Sequence, residues 1–316
     1  MKIVSDQYIP FLAEAVQQHW PDALITPLRP EEINRQAVSD ADVLVVRTRT
    51  RVDAHLLEGT RVRLVCTATI GFDHIDTQWC AVHGVEWMSC PGCNAQAVCD
   101  YIEEALLESE TLPVFRSPDR LTIGVVGVGH VGSLVARMAE RKGLRVLLND
   151  PPKGIGVPLE QIARESDVIT FHVPLDNTTR HLCDAAFLAQ CKPGALIINA
   201  ARGGVVDELA LAESGHPFIL DTWENEPGLN PSVLSRAYRA SMHIAGYSVQ
   251  GKRNATQMCV DAIAERFGLP RVQIPASAVL SFPSGDTAYG WLERIGCQLK
   301  EQPEQFELLR KEYRLR

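Results

Sequence analysis

The sequence has no long apolar run. No stretch of its 316 residues is long enough to span a bilayer, and no secretion signal precedes its first apolar segment. It also has no excess of basic residues, since 31 Lys and Arg stand against 39 Asp and Glu, for a formal charge of −8. These absences argue against a membrane protein and against nucleic-acid binding as the main function.

The cysteines form neither a disulfide framework nor a metal site. There are nine, which is an odd number, and they are scattered along the chain. No group of His, Cys and Asp has metal-ligand spacing, so we predict no bound metal. Without a secretion signal we expect reduced thiols and a cytoplasmic protein. Cys90 and Cys93 have the spacing of a redox motif, and their role stays open.

The chain does contain a regular alternation of strand and helix patterns. Such alternation is typical of parallel sheets with helices on their faces. We predict an α/β protein with two flavodoxin- or Rossmann-like doubly wound domains, a cleft between them and a short C-terminal segment. Residues 1–92 with 248–268 would form a substrate-binding domain, 93–247 an NAD-binding domain, and 269–316 the C-terminal segment. Strands are predicted at 1–5, 41–46, 62–67, 85–88, 122–126, 145–148, 168–171, 195–199 and 218–221, and long helices at 95–107 and 251–267.

A glycine motif begins the second domain. Gly127, Gly129 and Gly132 follow a β-branched strand pattern and open a helical one. In a dinucleotide site the first glycine permits the tight turn, the second lets the backbone approach a pyrophosphate, and the third lets helix and strand pack closely. Asp150 ends the next strand, where a carboxylate binds the ribose hydroxyls and repels a 2′-phosphate. The pattern predicts NAD as cofactor and favours it over NADP.

Three residues of the second half could perform hydride-transfer chemistry. Oxidation of an alcohol carbon by nicotinamide needs a base, a group that orients the base, and a cation for the substrate. His243, Glu226 and Arg202 supply one of each, and all three lie in loops at the predicted carboxyl edge of the sheet, where α/β ligands bind. Glu224 competes with Glu226 for the orienting role.

The motifs VGVGHVG, HVPLDNTTRHL, INAARGGVVDE and DTWENEP resemble those of the D-isomer-specific 2-hydroxyacid dehydrogenases. The likeness covers about residues 1–265 and resumes faintly near the end of the sequence. It implies that Arg202 binds the substrate carboxylate and the reacting oxygen. It also implies that His243 is the acid/base and that Glu226 hydrogen-bonds His243 and raises its proton affinity.

The glycine motif, the resemblance and the local charge together predict two sets of contacts. The cofactor-binding residues would be Gly127, Gly129, His130, Val131, Gly132, Asp150, Val173, Ala200, Ala201, Arg202, Asp221 and Gly246. The substrate-binding residues would be Arg47, Thr48, Thr69, Arg202 and Tyr247.

A narrower likeness rests on TATIGFDHID, PGCNAQAV, NDPP and HIAGYSVQGK. These segments are similar to a branch of the family that oxidises 4-phospho-D-erythronate at C2 in vitamin B6 synthesis. Such a substrate carries a carboxylate and a phosphate, and an acidic protein must gather cations locally to bind it. Arg47, Arg49 and Arg51 alternate, which would place them on one side of an extended segment. Arg47 is the first choice for the phosphate.

Two alternatives stay open. The chemistry could serve another D-2-hydroxy acid, such as glycerate, phosphoglycerate or lactate. The scaffold could instead belong to an NAD-sensing, protein-binding regulator without turnover. The resemblance implies a homodimer, but the segment 269–316 is shorter than the dimerisation region of the relatives, which leaves the dimerisation mode open.

Overall fold

The computed structural model describes residues 1–116, 121–275 and 290–313. The predicted linker at 117–119 lies outside the described residues. Contacts divide the described chain into a first unit, residues 1–94 with 248–275, and a second unit, residues 95–116, 121–247 and 290–313. Each unit contains one sheet built mainly from parallel strands. The predicted α/β class with Rossmann-like parallel sheets is confirmed.

The regular elements are as follows. The strands are β1 (Lys2–Asp6), β2 (Leu24–Leu28), β3 (Val43–Val46), β4 (Leu64–Thr67), β5 (Glu86–Met88), β6 (Thr122–Val126), β7 (Arg145–Asp150), β8 (Ile155–Gly156), β9 (Val168–Phe171), β10 (Leu196–Asn199), β11 (Phe218–Leu220) and β12 (Arg239–Ala240). The helices are α1 (Leu12–His19), α2 (Arg35–Val38), α3 (Ala54–Leu57), α4 (Thr77–Val82), α5 (Ala95–Leu107), α6 (His130–Arg141), α7 (Leu159–Glu165), α8 (Ala185–Leu188), α9 (Glu208–Ser214), α10 (Pro231–Arg236), α11 (Val249–Phe267), α12 (Trp291–Glu301) and α13 (Phe306–Glu312).

The first unit is built on a five-stranded parallel sheet in the order β2-β1-β3-β4-β5. Strand β3 is buried along its whole length, because each face of the sheet is covered. Val43 and Val45 point into one hydrophobic cluster, and Leu44 and Val46 point into the other. The sequence did not predict strand β2. This strand lies at the edge of the sheet, is largely exposed and contains Pro27. Its sequence therefore lacks an apolar pattern.

Helix α11 completes the first unit from far along the chain. It begins two residues earlier than predicted, because the Ser248 side chain accepts a hydrogen bond from the Gly251 N–H at 2.9 Å. It ends at Gly268, whose φ of +65° is the left-handed conformation common after helices. Its buried face, including Cys259 and Ile263, packs in the same cluster as Val43 and Val45.

The second unit is built on a seven-stranded sheet in the order β12-β11-β10-β9-β6-β7-β8. All neighbours are parallel except β7 and β8. The strand order reverses at β6, which pairs with β7 on one side and β9 on the other. In open α/β sheets ligands bind beyond the carboxyl ends of the strands at such a reversal. The glycine motif directly follows β6 at this position.

The described C-terminal residues belong to the two units. Val272 packs in a cluster of the first unit. Helices α12 and α13 insert Trp291, Leu299, Phe306 and Leu309 into the main cluster of the second unit. Burial of these side chains ties both helices to the NAD-binding sheet. A dimerisation role for residues 269–316 stays a prediction.

No helix among the described residues is long and apolar enough to cross a membrane. No set of three or more His, Cys, Asp or Glu residues among them could hold a metal ion.

Candidate active site

The glycine motif contains two glycines that the fold requires and one that it does not. A Cβ on Gly127 would lie 2.6 Å from the His172 carbonyl oxygen, and Gly127 has a φ of +89°. A Cβ on Gly132 would lie 1.9 Å from the Gly127 carbonyl oxygen. A Cβ on Gly129 would meet no protein atom within 4 Å. Packing therefore explains the first and third glycines, whereas no protein atom explains the second, which is where the motif predicts that a pyrophosphate approaches the backbone.

The start of helix α6 fits a pyrophosphate. Gly129 caps this twelve-residue helix without a side-chain hydrogen bond, so a bound anion can accept from its first N–H groups. His130 and Val131 form the first turn. The Asp150 carboxylate, at the end of β7, accepts a hydrogen bond from the Val128 N–H at 2.8 Å and thereby orders the loop.

Other predicted cofactor residues lie around the same sheet edge. Val173 follows β9, and its side chain would lie 2.8 Å from a Cβ on Gly127. Ala200 and Ala201 follow β10 and are partly buried. Gly246 lies in the loop after β12. These residues and the glycine motif suit a dinucleotide, while each individual contact stays a prediction.

The structure joins His243 to Glu226. Nδ1 of His243 lies 2.8 Å from one carboxylate oxygen of Glu226. The other carboxylate oxygen accepts the Trp223 N–H at 2.9 Å. The backbone therefore fixes the carboxylate, and the carboxylate fixes the imidazole. With Nδ1 occupied, Nε2 is the ring nitrogen left for a substrate.

Asp221 holds the loop that carries His243. It is 1% exposed. Its carboxylate accepts hydrogen bonds from the Ser241 hydroxyl at 2.6 Å, the Ile244 N–H at 2.8 Å and the Ala245 N–H at 2.9 Å. Its carbonyl accepts the His243 N–H at 2.7 Å. Sequence reasoning missed this role. The predicted contact of Asp221 with the cofactor stays a prediction.

This network holds His243 in a rare backbone conformation. Its φ is +58°, in the left-handed region that non-glycine residues seldom adopt. Buried partners stabilise the turn, since Tyr101 and Ser241 place their hydroxyls 2.8 Å apart and the Trp223 indole N–H donates to the Ser241 carbonyl at 2.9 Å. The position of the imidazole is therefore set by the core beneath it.

Arg202 lies in a loop that follows β10. The Asn199 side chain fixes this loop from both sides, since it donates to the Arg202 carbonyl at 2.8 Å and accepts from the Ala201 N–H at 3.0 Å. Gly203 lets the loop pack on the next strand end, because a Cβ there would lie 2.0 Å from the Trp223 carbonyl oxygen. The Arg202 side chain is exposed and donates to the Ala201 carbonyl at 2.8 Å. The loop positions the Arg202 side chain, which is not hydrogen-bonded to His243 or Glu226.

Glu224 has a different partner from Glu226. Its carboxylate lies 2.6 Å from Nε2 of His181, and its N–H donates to Glu208 at 2.6 Å. Burial, with nearby Glu224, Glu226 and Asp207, raises the pKa of Glu208 to about 7, although the hydrogen bond from Glu224 opposes the shift. Of the two competing glutamates, the one beside His243 is Glu226.

The first unit carries the remaining predicted substrate residues. Arg47 is half-buried and forms two hydrogen bonds with the buried Asp6 carboxylate, at 2.8 and 3.3 Å. Thr48 is exposed, and the Thr69 hydroxyl lies 2.6 Å from that of Thr67. Burial and the charge of Arg47 lower the pKa of Lys252, so the two cations interact electrostatically. Sequence reasoning missed Lys252, although it stands in the HIAGYSVQGK segment.

The arginine triplet does not behave as a strand. The Thr50 N–H donates to the Arg47 carbonyl at 3.2 Å, which makes this segment a turn. Arg47 pairs with Asp6, whereas Arg51 pairs with Asp53 at 2.9 Å. The segment is therefore not extended, and the prediction that all three arginines lie on one side of it is wrong.

The thiols near Cys90 are buried. Sγ of Cys90 lies 3.8 Å from Sγ of Cys259. Its hydrogen bond with Cys259 and burial raise the pKa of Cys90, and burial raises the pKa of Cys93 to about 12. Thiols that resist ionisation are poor nucleophiles. This environment argues against disulfide exchange at the Cys90/Cys93 pair.

Comparison with known proteins agrees with the class that this site defines. Residues 101–245 match the family model described as D-isomer specific 2-hydroxyacid dehydrogenase, NAD binding domain. Among solved structures, D-lactate dehydrogenase from Aquifex aeolicus, complexed with NAD and lactic acid, aligns with a TM-score of 0.65 and 25% identity. The alignment covers 85% of this chain and 96% of that chain. The NAD⁺-bound 3-phosphoglycerate dehydrogenase of Entamoeba histolytica has the same fold, with a TM-score of 0.68, 22% identity and coverage of 87% and 98%.

Curated relatives narrow the class. Erythronate-4-phosphate dehydrogenase of Bacteroides thetaiotaomicron is 41% identical over an alignment that covers 100% of this chain and 97% of that protein. The enzyme of the same name from Cronobacter sakazakii is 41% identical, over 90% of this chain and 78% of its own length. This chain belongs to the erythronate-4-phosphate dehydrogenase family of NAD-dependent 2-hydroxyacid dehydrogenases.

Alanine substitution should separate the two roles of glycine. In Gly129→Ala the new Cβ meets no protein atom and φ is −83°, so we expect wild-type stability. We expect NADH to bind at least about tenfold more weakly, because the Cβ obstructs the pyrophosphate. In Gly132→Ala the Cβ overlaps a backbone oxygen, and we expect a loss of at least about 1–3 kcal/mol in the free energy of unfolding. Urea unfolding measures the free energy of unfolding of each variant, and fluorescence titration measures its affinity for NADH. Weak NADH binding by both variants at equal stability would contradict this division.

His172 should make the protein sensitive to acid. Burial lowers the pKa of His172 to about 3, whereas an unfolded histidine titrates near 6.5. Between these values the unfolded state binds a proton that the folded state does not. The free energy of unfolding should therefore fall on acidification through this window, by up to about 1.4 kcal/mol per pH unit.

Urea unfolding from pH 7.5 to 4.5 tests this, with His172→Gln compared to wild type. The variant should show the shallower decline. The exposed His55, changed to Gln, is the control and should keep the wild-type slope. Parallel curves for His172→Gln and wild type would refute the assignment.

Proposed function

We propose that this protein oxidises 4-phospho-D-erythronate at C2 to (R)-3-hydroxy-2-oxo-4-phosphobutanoate, with NAD as hydride acceptor, in vitamin B6 synthesis. The observation that carries the proposal is the 2.8 Å contact between His243 and Glu226 in a chain of this family. A carboxylate–imidazole pair is the acid/base unit that alcohol oxidation needs. Metal-assisted hydrolysis would need a metal site, and no group of three or more His, Cys, Asp or Glu among the described residues could hold a metal ion.

The base acts through one defined nitrogen. Glu226 holds Nδ1 of His243, so Nε2 accepts the C2 hydroxyl proton while the hydride leaves C2 for the nicotinamide. The carbonyl product, NADH and a proton on His243 balance the reaction. Glu226 stabilises the imidazolium, and its own position is fixed by the Trp223 N–H. Arg202 binds the α-hydroxy carboxylate.

The choice of NAD over NADP rests on Asp150. Its carboxylate ends β7, and one oxygen already orders the loop through Val128. The carboxylate can accept from the ribose hydroxyls, whereas a 2′-phosphate would meet a like charge. NAD supplies the hydride acceptor when it is bound by the glycine motif.

The phosphate group is assigned to Arg47 and Lys252. These two cations of the first unit repel each other electrostatically, and a dianionic phosphate would offset the repulsion between them. Arg47 is pre-oriented by Asp6, which removes much of the entropic cost of ordering a long side chain. A homodimer and a cytoplasmic location stay predictions from the sequence.

A substrate panel tests the proposal. Purified protein and NAD are mixed with 4-phospho-D-erythronate, 3-phosphoglycerate, glycerate or D-lactate, and NADH fluorescence is followed in a single turnover. We expect a rapid signal with phosphoerythronate and at least about tenfold lower kcat/KM for the others. A preference for another acid would support NAD-dependent oxidation of a 2-hydroxy acid and would contradict phosphoerythronate as the substrate. No turnover with any acid, with NADH still bound, would favour a regulator.

Replacing His243 with Asn should remove the base with little disturbance of the loop. Asn tolerates the left-handed backbone that His243 adopts. We expect turnover to fall by about 10²- to 10⁴-fold while the NADH dissociation constant changes little. The matched control is His181→Asn, because His181 also has a positive φ, of +52°, and also pairs with a glutamate. Equal turnover losses in the two variants would exclude His243 as the specific base.

A further inference from the structure

A side chain from the C-terminal helix reaches the loop that carries the acid/base. Nε of Arg310 donates a hydrogen bond to the Tyr247 hydroxyl at 2.9 Å. The guanidinium carbon lies 6.0 Å from the centre of the Tyr247 ring. Tyr247 is only four residues beyond His243 in the sequence, whereas Arg310 lies 63 positions beyond Tyr247. Both residues belong to the second unit.

The position of Arg310 is fixed by its neighbours. Phe306 is fully buried and Leu309 is 5% exposed, both in the main cluster of the unit, so they anchor the helix. The Arg310 side chain is 29% exposed and pairs with Glu307 at 3.2 Å. Burial alone would lower the pKa of Arg310, but the hydrogen bond to Tyr247 and the charges of Tyr247, Glu307 and Glu226 raise it. The guanidinium therefore lies within electrostatic range of Glu226, the partner of His243.

The direction of the hydrogen bond matters. A guanidinium can only donate, so the Tyr247 oxygen must accept from it. The single hydroxyl proton of Tyr247 then has to point elsewhere. A phenol held in this way is a ready donor to a carboxylate or phosphate oxygen, and donation to a charged acceptor makes a strong hydrogen bond.

We infer that Arg310 is a positioning residue that fixes Tyr247 as a hydrogen-bond donor to the anionic substrate. This rests on the proposed function, in which Tyr247 contacts the substrate. The last described helix thus contributes to substrate specificity within one chain. Arg310 acts through Tyr247 and takes no part in proton or hydride transfer.

The test compares Arg310→Met, Arg310→Lys, Tyr247→Phe and the double variant Arg310→Met with Tyr247→Phe. The matched control is Lys311→Met, which removes an exposed cation from the same helix. Steady-state kinetics with 4-phospho-D-erythronate give KM and kcat separately. Calorimetry with NADH present gives the dissociation constant of 4-phospho-D-erythronate in the dead-end complex, which needs no turnover.

We expect Arg310→Met to raise the KM and the dissociation constant by about tenfold or more, with kcat changed less than about threefold. Arg310→Lys should recover part of the affinity, because an ammonium can still donate to the phenol. The double variant should be no weaker than Tyr247→Phe, since both changes remove one interaction. NADH affinity and the Lys311→Met variant should stay at wild-type values.

Two outcomes would overturn the inference: wild-type affinity in Arg310→Met, or losses that multiply in the double variant. If Arg310→Met fails to fold, Tyr247→Phe carries the test, because wild-type affinity in that variant would mean that the Tyr247 hydroxyl donates nothing to the substrate. The wild-type protein decides the proposed function separately. Turnover of another acid in the panel would replace the substrate, and the variants would then be compared with that acid.

Discussion

A buried carboxylate makes the candidate site possible. Asp221 accepts three hydrogen bonds from the loop that carries His243, and each bond to a charged acceptor is worth about 1.5–3 kcal/mol. That energy holds His243 at a positive φ, where the imidazole meets Glu226. Glu226 is fixed in turn by the Trp223 N–H. The proposed acid/base pair is thus held by backbone groups and a buried carboxylate, so it needs no substrate to assemble.

The second unit places its two chemical tasks at one edge of its sheet. The glycine motif follows β6, and the loops of Arg202 and His243 follow β10 and β12. Parallel strands bring these loops to the same edge because their carboxyl ends all point that way. Gly127 and Gly132 are required by packing and Gly129 by none of the protein's own atoms. The same short segment therefore serves the fold and, in the proposed function, also the cofactor.

Patterns within short segments predicted the fold class, the central strands and the partner of His243. These depend on local periodicity or on motifs that the family shares. Strand β2 escaped because an exposed edge strand has no apolar signature. The arginine turn at Arg47 escaped because alternation in sequence does not require an extended backbone. Asp221 as a loop anchor and Arg310 as a partner of Tyr247 depend on contacts over 20 or more residues, which no local pattern encodes.

The chain order of the first unit sets the time at which it can form. Its sheet is complete by β5, yet one face is covered by α11, which is synthesised about 160 residues later. Until that helix leaves the ribosome, Val43 and Val45 have only part of their cluster, including Leu12 and Val16 of α1. The second unit likewise awaits Trp291 and Phe306. Both cores therefore close only after these later helices have been made, and until then the nascent chain carries incompletely covered apolar faces.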